Sequence, residues 1–225
     1  MIKFKKIIKS IFSFLFPPRC YICDNITKNN TLCSNCKMMY NSILKIGYLS
    51  DFNFQNNLLY ASIYESIAKK MILDLKYKKK KQIVEIYIDL IKNNKIFLDY
   101  IKNINYITYI PTSKKNINIR TYDQAKLIAD NLSIKFKIPI LKIFEKNENK
   151  KKKIKEQKTL TREERLHNVT GNFKLNKNGE NIKGNILIVD DVYTTGATAY
   201  EVKRILKEKN KNVNIYFFTL GYTKY

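Results

Sequence analysis

The sequence predicts an open α/β fold with a mostly parallel central sheet, preceded by a small module built around four cysteines. Strand-like and helix-like segments alternate from Asn57 to the end of the chain, as in proteins assembled from right-handed βαβ units. The continuous apolar run Ile186–Val189 is typical of a central parallel strand that is buried on both faces. All four cysteines lie before residue 40. We therefore predict two domains, an N-terminal helix with the cysteine module over 1–45 and the α/β domain over 46–225.

Apolar periodicity orders the elements of the second domain. The predicted strands are Leu58–Tyr64, Tyr106–Ile110, Ile138–Ile143 (broken by Pro139), Ile186–Val189 and Val213–Leu220. The predicted helices have apolar faces running through Ile67–Leu75, Ile83–Ile91, Ala125–Leu132 and Ala199–Leu206. Between the third strand and the fourth, Asn147–Lys158 is almost wholly charged or amide-bearing, which predicts a mobile surface loop.

The chain is strongly basic, with a net charge of +24. Such a charge is typical of proteins that bind nucleic acid or an anionic membrane. A residue bias toward Lys, Asn, Ile and Tyr, with no Trp, is also what A+T-rich codons produce, and it would add lysine to every solvated surface. Two lysine runs, Lys78–Lys81 and Lys150–Lys153, are clustered beyond a uniform bias and are candidate contacts to nucleic acid.

The N-terminal segment Met1–Phe16 combines lysines with apolar residues, as signal peptides do. Lys9 interrupts its apolar run, and Pro17, Pro18 and Arg19 follow it instead of a small-residue cleavage site. No stretch of the sequence is long enough to span a bilayer. We predict a short amphipathic helix that packs on the domain of a cytoplasmic protein, with peripheral contact to the inner membrane as the alternative.

The four cysteines form two Cys-x-x-Cys pairs, Cys20 with Cys23 and Cys33 with Cys36. This spacing allows four thiolates to converge tetrahedrally on Zn²⁺. Disulfides are the alternative in an oxidising compartment, and an iron–sulfur cluster is compatible with the same spacing. We predict a structural zinc site that supplies most of the folding free energy of its small module.

The main chemical motif is a buried strand followed by two carboxylates and a hydroxyl-rich turn that opens a helix. Asp190 and Asp191 can accept hydrogen bonds from vicinal ribose hydroxyls and can help hold Mg²⁺ near a pyrophosphate. The turn offers backbone N–H groups at a helix N-terminus, hydroxyl donors and a glycine that permits close approach, which together suit a phosphate. Its residues are Thr194, Thr195, Gly196, Ala197 and Thr198.

The motif has two other interpretations, a P-loop ATPase and a simple helix cap. A P-loop ATPase also has an apolar strand that ends in aspartates, but none of the six glycines here supplies a Gly-rich loop ending in Gly-Lys-Ser/Thr. Simple helix capping needs one polar residue, whereas five cluster here with a glycine. The motif therefore favours a phosphosugar site.

Val189–Thr198 resembles the 5-phosphoribosyl-1-pyrophosphate (PRPP) signature of type I phosphoribosyltransferases. From Pro17 onward the chain resembles the competence-associated ComF family. Arg120-Thr121-Tyr122-Asp123-Gln124 is similar to its Arg-Gly-Phe-Asn-Gln segment, and Leu75-Lys76-Tyr77 to its Phe-Lys-Tyr. A third stretch, similar to its Gln…Leu…Arg…Asn-Val…Phe pattern, consists of Gln157, Leu160, Arg162, Arg165, Asn168, Val169 and Phe173. Thr121 stands where the family has glycine, which argues against a positive backbone angle there, and Asp123 adds a negative charge.

The resemblance implies a type I phosphoribosyltransferase sheet and assigns roles around it. Asp190 and Asp191 would be the catalytic pair that holds the ribose, and Thr194–Thr198 would bind its 5′-phosphate. The turn Ile110–Lys115 would face the pyrophosphate, with Lys114 and Arg120 as its cations. His167 has no metal-ligand partner at useful spacing and is assigned no role.

Two functions follow from these observations. One is a binding protein that holds PRPP or a related ligand and uses the lysine runs and the zinc module to bind single-stranded DNA; the resemblance to the ComF family implies that it acts with the DNA-uptake machinery of natural transformation. The other is a Mg²⁺-dependent phosphoribosyltransferase acting on an unidentified base. We favour the first because no segment is typical of a hood that recognises a particular base.

Overall fold

The computed structural model describes residues 14–27, 32–49, 57–147 and 169–224, the side chains of 41–43 and 115 excepted. The chain divides into two compact units, Met1–Leu44 and Lys45–Tyr225. Several predicted features lie outside the described residues: most of the N-terminal amphipathic helix, the lysine run at 150–153, nearly all of the charged loop, and His167. Within the described residues, no helix has the length and apolar character needed to cross a membrane.

Among its described residues, the first unit has a turn that holds Cys20 and Cys23 and, further along the chain, helix α1, Ser34–Ile43. Arg19 and Ile26 form an isolated antiparallel bridge, and the turn between them is closed by a bond from the Cys20 N–H to the Asn25 carbonyl at 2.7 Å. Asp24 takes a left-handed conformation in this turn. Cys33 caps the N-terminus of α1, its sulfur accepting from the Cys36 N–H. The four cysteines thus lie in a closed turn and at a helix start.

The second unit holds seven strands and six helices among its described residues. The strands are β1 Gly47–Leu49, β2 Leu58–Ile63, β3 Tyr106–Tyr109, β4 Phe144–Lys146, β5 Phe173–Leu175, β6 Gly184–Tyr193 and β7 Val213–Tyr222. The helices are α2 Ser66–Tyr77, α3 Gln82–Ile91, α4 Lys95–Ile101, α5 Lys114–Arg120, α6 Gln124–Phe136 and α7 Ala197–Lys209. A 3-10 turn covers Lys177–Gly179.

Five strands form the central sheet in the order β1-β2-β7-β6-β3. The pairs β2–β7, β7–β6 and β6–β3 are parallel, and only the short edge strand β1 runs antiparallel. β4 and β5 form a separate antiparallel pair. The predicted α/β fold with a mostly parallel sheet is confirmed. The apolar run Ile186–Val189 is fully buried in β6, between β7 and β3.

Helices cover both faces of the sheet, as a parallel sheet requires. On one face, Val202 and Leu206 of α7 pack with Ile186, Ile188 and the β4–β5 pair. On the other face, Phe97 of α4 stacks edge-on against Phe218 of β7 at 5.2 Å. The site at the carboxyl ends of the strands is therefore built on two packed layers.

Two strand predictions were wrong in extent. Ile138–Ile143 is not a strand: Ile140 alone forms an isolated parallel bridge, with Ile107 beside β3. Pro139 contributes only its carbonyl, to the Ile107 N–H at 2.9 Å, because proline has no N–H for a ladder. Strand β6 does not end at Val189 but runs on to Tyr193, so Asp190 and Asp191 lie inside the strand.

Candidate functional site

The carboxyl ends of β3 and β6 meet at a point where the chain turns in opposite directions. From β6 the chain crosses through α7 to β7 on one side, and from β3 it crosses through α5 and α6 to the bridge at Ile140 on the other. Ligands of open α/β sheets bind at such switch points. Since the Ile110 N–H donates to the Val189 carbonyl at 3.0 Å, the turn after β3 lies beside Asp190.

The predicted phosphate loop lies between β6 and α7. Gly196 is the N-cap residue of α7, with φ +78°, and no side chain caps the helix there. The loop approaches Tyr193 closely, because a Cβ on Gly196 would lie 2.2 Å from the Tyr193 hydroxyl. Thr194 is exposed, Thr195 and Thr198 are half-buried, and Ala197 is buried. The first turn of a long helix thus presents backbone N–H groups together with hydroxyls.

Asp190 and Asp191 occupy consecutive positions of β6, so their side chains leave opposite faces of the strand. Asp190 accepts from the Asp191 N–H at 2.8 Å. Burial, reinforced by the Asp191 charge, raises the pKa of Asp190 to about 8. Asp190 therefore keeps its proton to a higher pH than an exposed carboxyl group does.

Lys76, for which the sequence suggested no role in the site, is ion-paired to Asp191. Its ammonium lies 2.9 Å from Asp191 Oδ1, and the two side chains are only 17% and 14% exposed. Burial alone would lower the pKa of Lys76, but the Asp191 charge and hydrogen bond outweigh it and raise that pKa. The resemblance of Leu75-Lys76-Tyr77 to a ComF segment was the signal in the sequence.

The turn after β3 is held by Asp123. One Asp123 oxygen accepts from the Thr112 N–H at 2.7 Å, and the other caps α6 by accepting from the Lys126 N–H at 3.1 Å. Ser113 caps α5 in the same way. Lys114 is the first residue of α5, and its side chain is exposed. The charge that Asp123 adds relative to the ComF pattern is therefore used in backbone hydrogen bonds.

Arg120 is placed against the end of α2. Its guanidinium lies 5.4 Å from the Tyr77 ring centre and donates to Gln124 at 3.2 Å. Tyr122 donates to the Leu75 carbonyl. The α5–α6 turn is thereby tied to the helix end that carries Lys76. The predicted part of Lys114 and Arg120 in pyrophosphate binding stays a prediction.

The expectation about Thr121 was wrong. Thr121 ends α5 in the left-handed conformation, with φ +70°, so the backbone keeps the angle for which glycine is suited. The cost of a β-branched residue there is offset in part because the Thr121 hydroxyl donates to the Arg120 carbonyl at 2.6 Å.

Part of the first lysine run is engaged within the fold. Asp74 of α2 is buried, and its carboxylate lies within 2.9 Å of Lys78, 3.5 Å of Lys80 and 3.7 Å of Lys70. Lys81 lies over the Tyr122 ring. These lysines stabilise the end of α2, so their clustering is not by itself a mark of a DNA surface.

The four cysteines form a candidate metal centre in the first unit. Their sulfur atoms all lie within 4.8 Å of one another, and none is in a disulfide. The Cys23 and Cys33 sulfurs are 3.6 Å apart, close to the roughly 3.8 Å edge of a tetrahedron with metal–sulfur bonds of about 2.3 Å. Burial, followed by hydrogen bonds with the neighbouring thiols, raises the pKa of Cys36. A bound cation would relieve this penalty, so the donor set fits a tetrahedral metal ion.

Comparison with known proteins supports the predicted resemblance. No family model matches the chain. The chain is 34% identical over 111 residues to Competence protein ComFC of Bacillus subtilis (strain 168), a match that covers 49% of this chain and 42% of that protein. A crystal structure of adenine phosphoribosyltransferase has 16% sequence identity and a TM-score of 0.41, covering 82% of this chain and 89% of that one. The similarity to the ComF family is thus confirmed over about half of the chain.

Proposed function

We propose that this protein binds PRPP or a related phosphorylated ribose at the carboxyl ends of β3 and β6. The observation that carries the proposal is the continuous unit formed by Asp191, the Thr194–Thr198 loop and the uncapped start of α7. The helix start and its hydroxyls suit the 5′-phosphate, and the carboxylate suits the ribose hydroxyls. The turn Ile110–Lys115 lies beside them, where a pyrophosphate would extend.

Magnesium would enter this site with the ligand. Mg²⁺ is held in proteins by one or two carboxylates together with substrate phosphates. Asp190 and Asp191 leave opposite faces of β6, so Asp191, which lies next to Lys76, would be the carboxylate that contacts the ion. When bound, the ion would neutralise charge on the pyrophosphate. Lys114 and Arg120 would provide further positive charge on the pyrophosphate side. The residues that orient the ribose belong to β6 and α7.

The test is calorimetric titration with PRPP and Mg²⁺. Asp191→Ala should lower the affinity at least about tenfold, since removing a charged hydrogen-bond acceptor typically costs about 1.5–3 kcal/mol. Asp99→Ala is the control, because Asp99 is an exposed residue of α4 that pairs with Lys102. The four-cysteine unit should stay folded in both variants. Unchanged PRPP affinity in Asp191→Ala would refute the assignment.

We further propose that the protein acts in natural transformation and holds single-stranded DNA. The Bacillus subtilis relative is named a competence protein, which supports the first part. The net charge of +24 supports the second. The cellular site for such a role is the cytoplasm, with the uptake machinery or the inner membrane as a peripheral contact.

The alternative function, phosphoribosyl transfer to a base, uses the same site and is separated by one assay. Purified protein with PRPP and Mg²⁺ is supplied with a panel of bases while pyrophosphate release is monitored. PRPP binding without release over the whole panel is the expected result. Release that depends on one base would make the protein an enzyme.

For the cysteine unit we propose one structural zinc ion. Four converging sulfurs with no open ligand position are typical of structural zinc, and their spacing also accommodates iron. Elemental analysis of protein purified without added metal should find one zinc per chain. A stoichiometric amount of iron with a rubredoxin-like visible spectrum would contradict zinc.

A further inference from the structure

The ion pair between Lys76 and Asp191 occupies the carboxylate that the proposed ligand needs. The Lys76 ammonium is 2.9 Å from Asp191, and both side chains are largely shielded from solvent. A shielded pair is screened little by salt, so it persists unless another charge competes for it. A divalent cation that reaches Asp191 therefore competes with this ammonium for the same carboxylate.

The helix end that carries Lys76 is fixed on both sides of the lysine. The Leu75 carbonyl accepts from Tyr122, and the Tyr77 ring lies under the Arg120 guanidinium. Because the backbone is held, the long Lys76 side chain can change partner while the helix stays in place. The residues that hold this helix end, Tyr122 and Arg120, belong to the α5–α6 turn. In the chain, that turn follows the proposed pyrophosphate turn.

We propose that Lys76 is the resident counter-ion of the site: it competes with a divalent cation for Asp191, and it contacts the ligand's phosphates once that cation has taken its place. The proposal rests on the phosphoribosyl-binding function argued above. It assigns Lys76 two effects of opposite sign. The lysine weakens binding of a bare cation, and it strengthens binding of the complete cation–phosphate ligand.

Lys76→Met tests both effects, since it keeps the length of the side chain and removes the charge. Mn²⁺ alone, followed by its electron paramagnetic resonance signal, should bind about tenfold more tightly, because an opposite charge a few ångströms away changes the affinity of a carboxylate for a cation by a factor of about ten or more. Mg²⁺ with PRPP, followed by calorimetry, should bind about tenfold more weakly. A merely structural lysine would weaken both.

Two control variants sharpen the test. Lys76→Arg retains the charge and should keep Mn²⁺ affinity near that of the wild type. Lys69→Met changes an exposed lysine of the same helix and should leave both affinities unchanged. Mn²⁺ affinity that is equal or weaker in Lys76→Met overturns the competition, and equal PRPP affinity overturns the phosphate contact. If the wild type binds no PRPP, the proposed function fails, while the Mn²⁺ measurement still decides the competition.

A measurement on the wild-type protein covers the case in which Lys76→Met does not fold. The Nζ resonance of the Lys76 ammonium, observed by NMR on lysine-labelled protein, should shift when Mg²⁺ is added, because the ammonium leaves Asp191. A resonance that stays unchanged up to saturating Mg²⁺ overturns the proposal.

Discussion

At the scale of single residues, the two adjacent aspartates of β6 have different surroundings. Asp191 is paired with Lys76, whereas burial raises the pKa of Asp190 to about 8. Consecutive positions of one strand thus place one carboxyl group beside an ammonium and the other where its protonated form is favoured. The difference arises because the two faces of β6 pack against different residues. The Asp-Asp dipeptide in the sequence does not indicate those residues.

Asp190 predicts a specific pH dependence of stability. Its pKa is about 8 in the folded protein and about 3.9 in an unfolded chain. Because the folded state holds the proton more tightly, the stability this group contributes is complete below pH ~4 and is lost as the pH rises through about 8. In Asp190→Asn this loss should be absent. Its free energy of unfolding relative to the wild type should therefore rise by at least ~1.4 kcal/mol, the equivalent of one pKa unit, between pH 5 and pH 9.

Urea unfolding of both proteins at several pH values measures this difference. Asp99→Asn serves as the matched control. The Lys102 hydrogen bond and charge lower the pKa of Asp99, so its contribution is lost only in acid and should be constant over this range. Parallel stability curves for the wild type and Asp190→Asn would contradict the raised pKa of Asp190.

At the scale of elements, the junction between β6 and α7 depends on Gly196. Its φ of +78° is one that other residues rarely adopt, and an added Cβ would meet the Tyr193 hydroxyl at 2.2 Å and the ring carbon that bears it at 2.8 Å. Gly196→Ala should therefore destabilise the protein by about 1–3 kcal/mol and weaken PRPP binding by displacing the loop. Tyr193→Phe in the same chain removes the nearest atom and should restore part of the stability.

The residual loss in the double variant reports the backbone angle together with the contact to the ring carbon that phenylalanine keeps. Chemical unfolding of the wild type, both single variants and the double variant forms a complete cycle. Additive effects of the two substitutions would mean that the alanine Cβ does not meet Tyr193. Gly179→Ala offers a comparison, because Gly179 is also tightly packed but lies at the 3-10 turn.

The sequence predicted elements whose signal is local and missed those that depend on distant partners. The strand segment Ile186–Val189 and the Thr194–Thr198 turn could be predicted because the pattern that indicates each of them lies within a few consecutive residues. Strand β5 was missed because it has three residues and pairs with β4 across a long intervening segment. The extent of the Ile138–Ile143 strand was overestimated because an apolar run says nothing about whether a neighbour strand continues beside it.

The candidate site shows the same division. The carboxylates and the phosphate loop could be predicted because a strand, a turn and a helix start follow one another in the chain. Lys76 could not, because its contact with Asp191 depends on how α2 packs against β6. The left-handed backbone angle of Thr121 was also not predicted. β-Branched residues rarely adopt that angle, and it is required here because Thr121 ends α5.

At the scale of the whole molecule, the charge and its arrangement bear on the partner. The chain has a net charge of +24, yet Lys70, Lys78 and Lys80 lie around the buried Asp74. Such lysines keep their charge but are held by the fold, so a DNA surface must draw on other basic residues as well. Lysine clustering in the sequence is therefore weaker support for DNA binding than the total charge.

If the protein binds single-stranded DNA, the binding should depend steeply on salt, because each phosphate contact releases condensed counterions. For about five contacts, the logarithm of the association constant should fall with the logarithm of salt concentration with a slope of about −3.5. Fluorescence anisotropy with a labelled oligonucleotide at several salt concentrations measures the slope. Lys78 is paired with Asp74, so Lys78→Gln should change the salt slope by less than the amount expected for one phosphate contact. Asp74→Asn releases three lysines and should make the slope steeper. An affinity that is flat from low to high salt would remove single-stranded DNA from the partners of this protein and leave the phosphosugar site as its function.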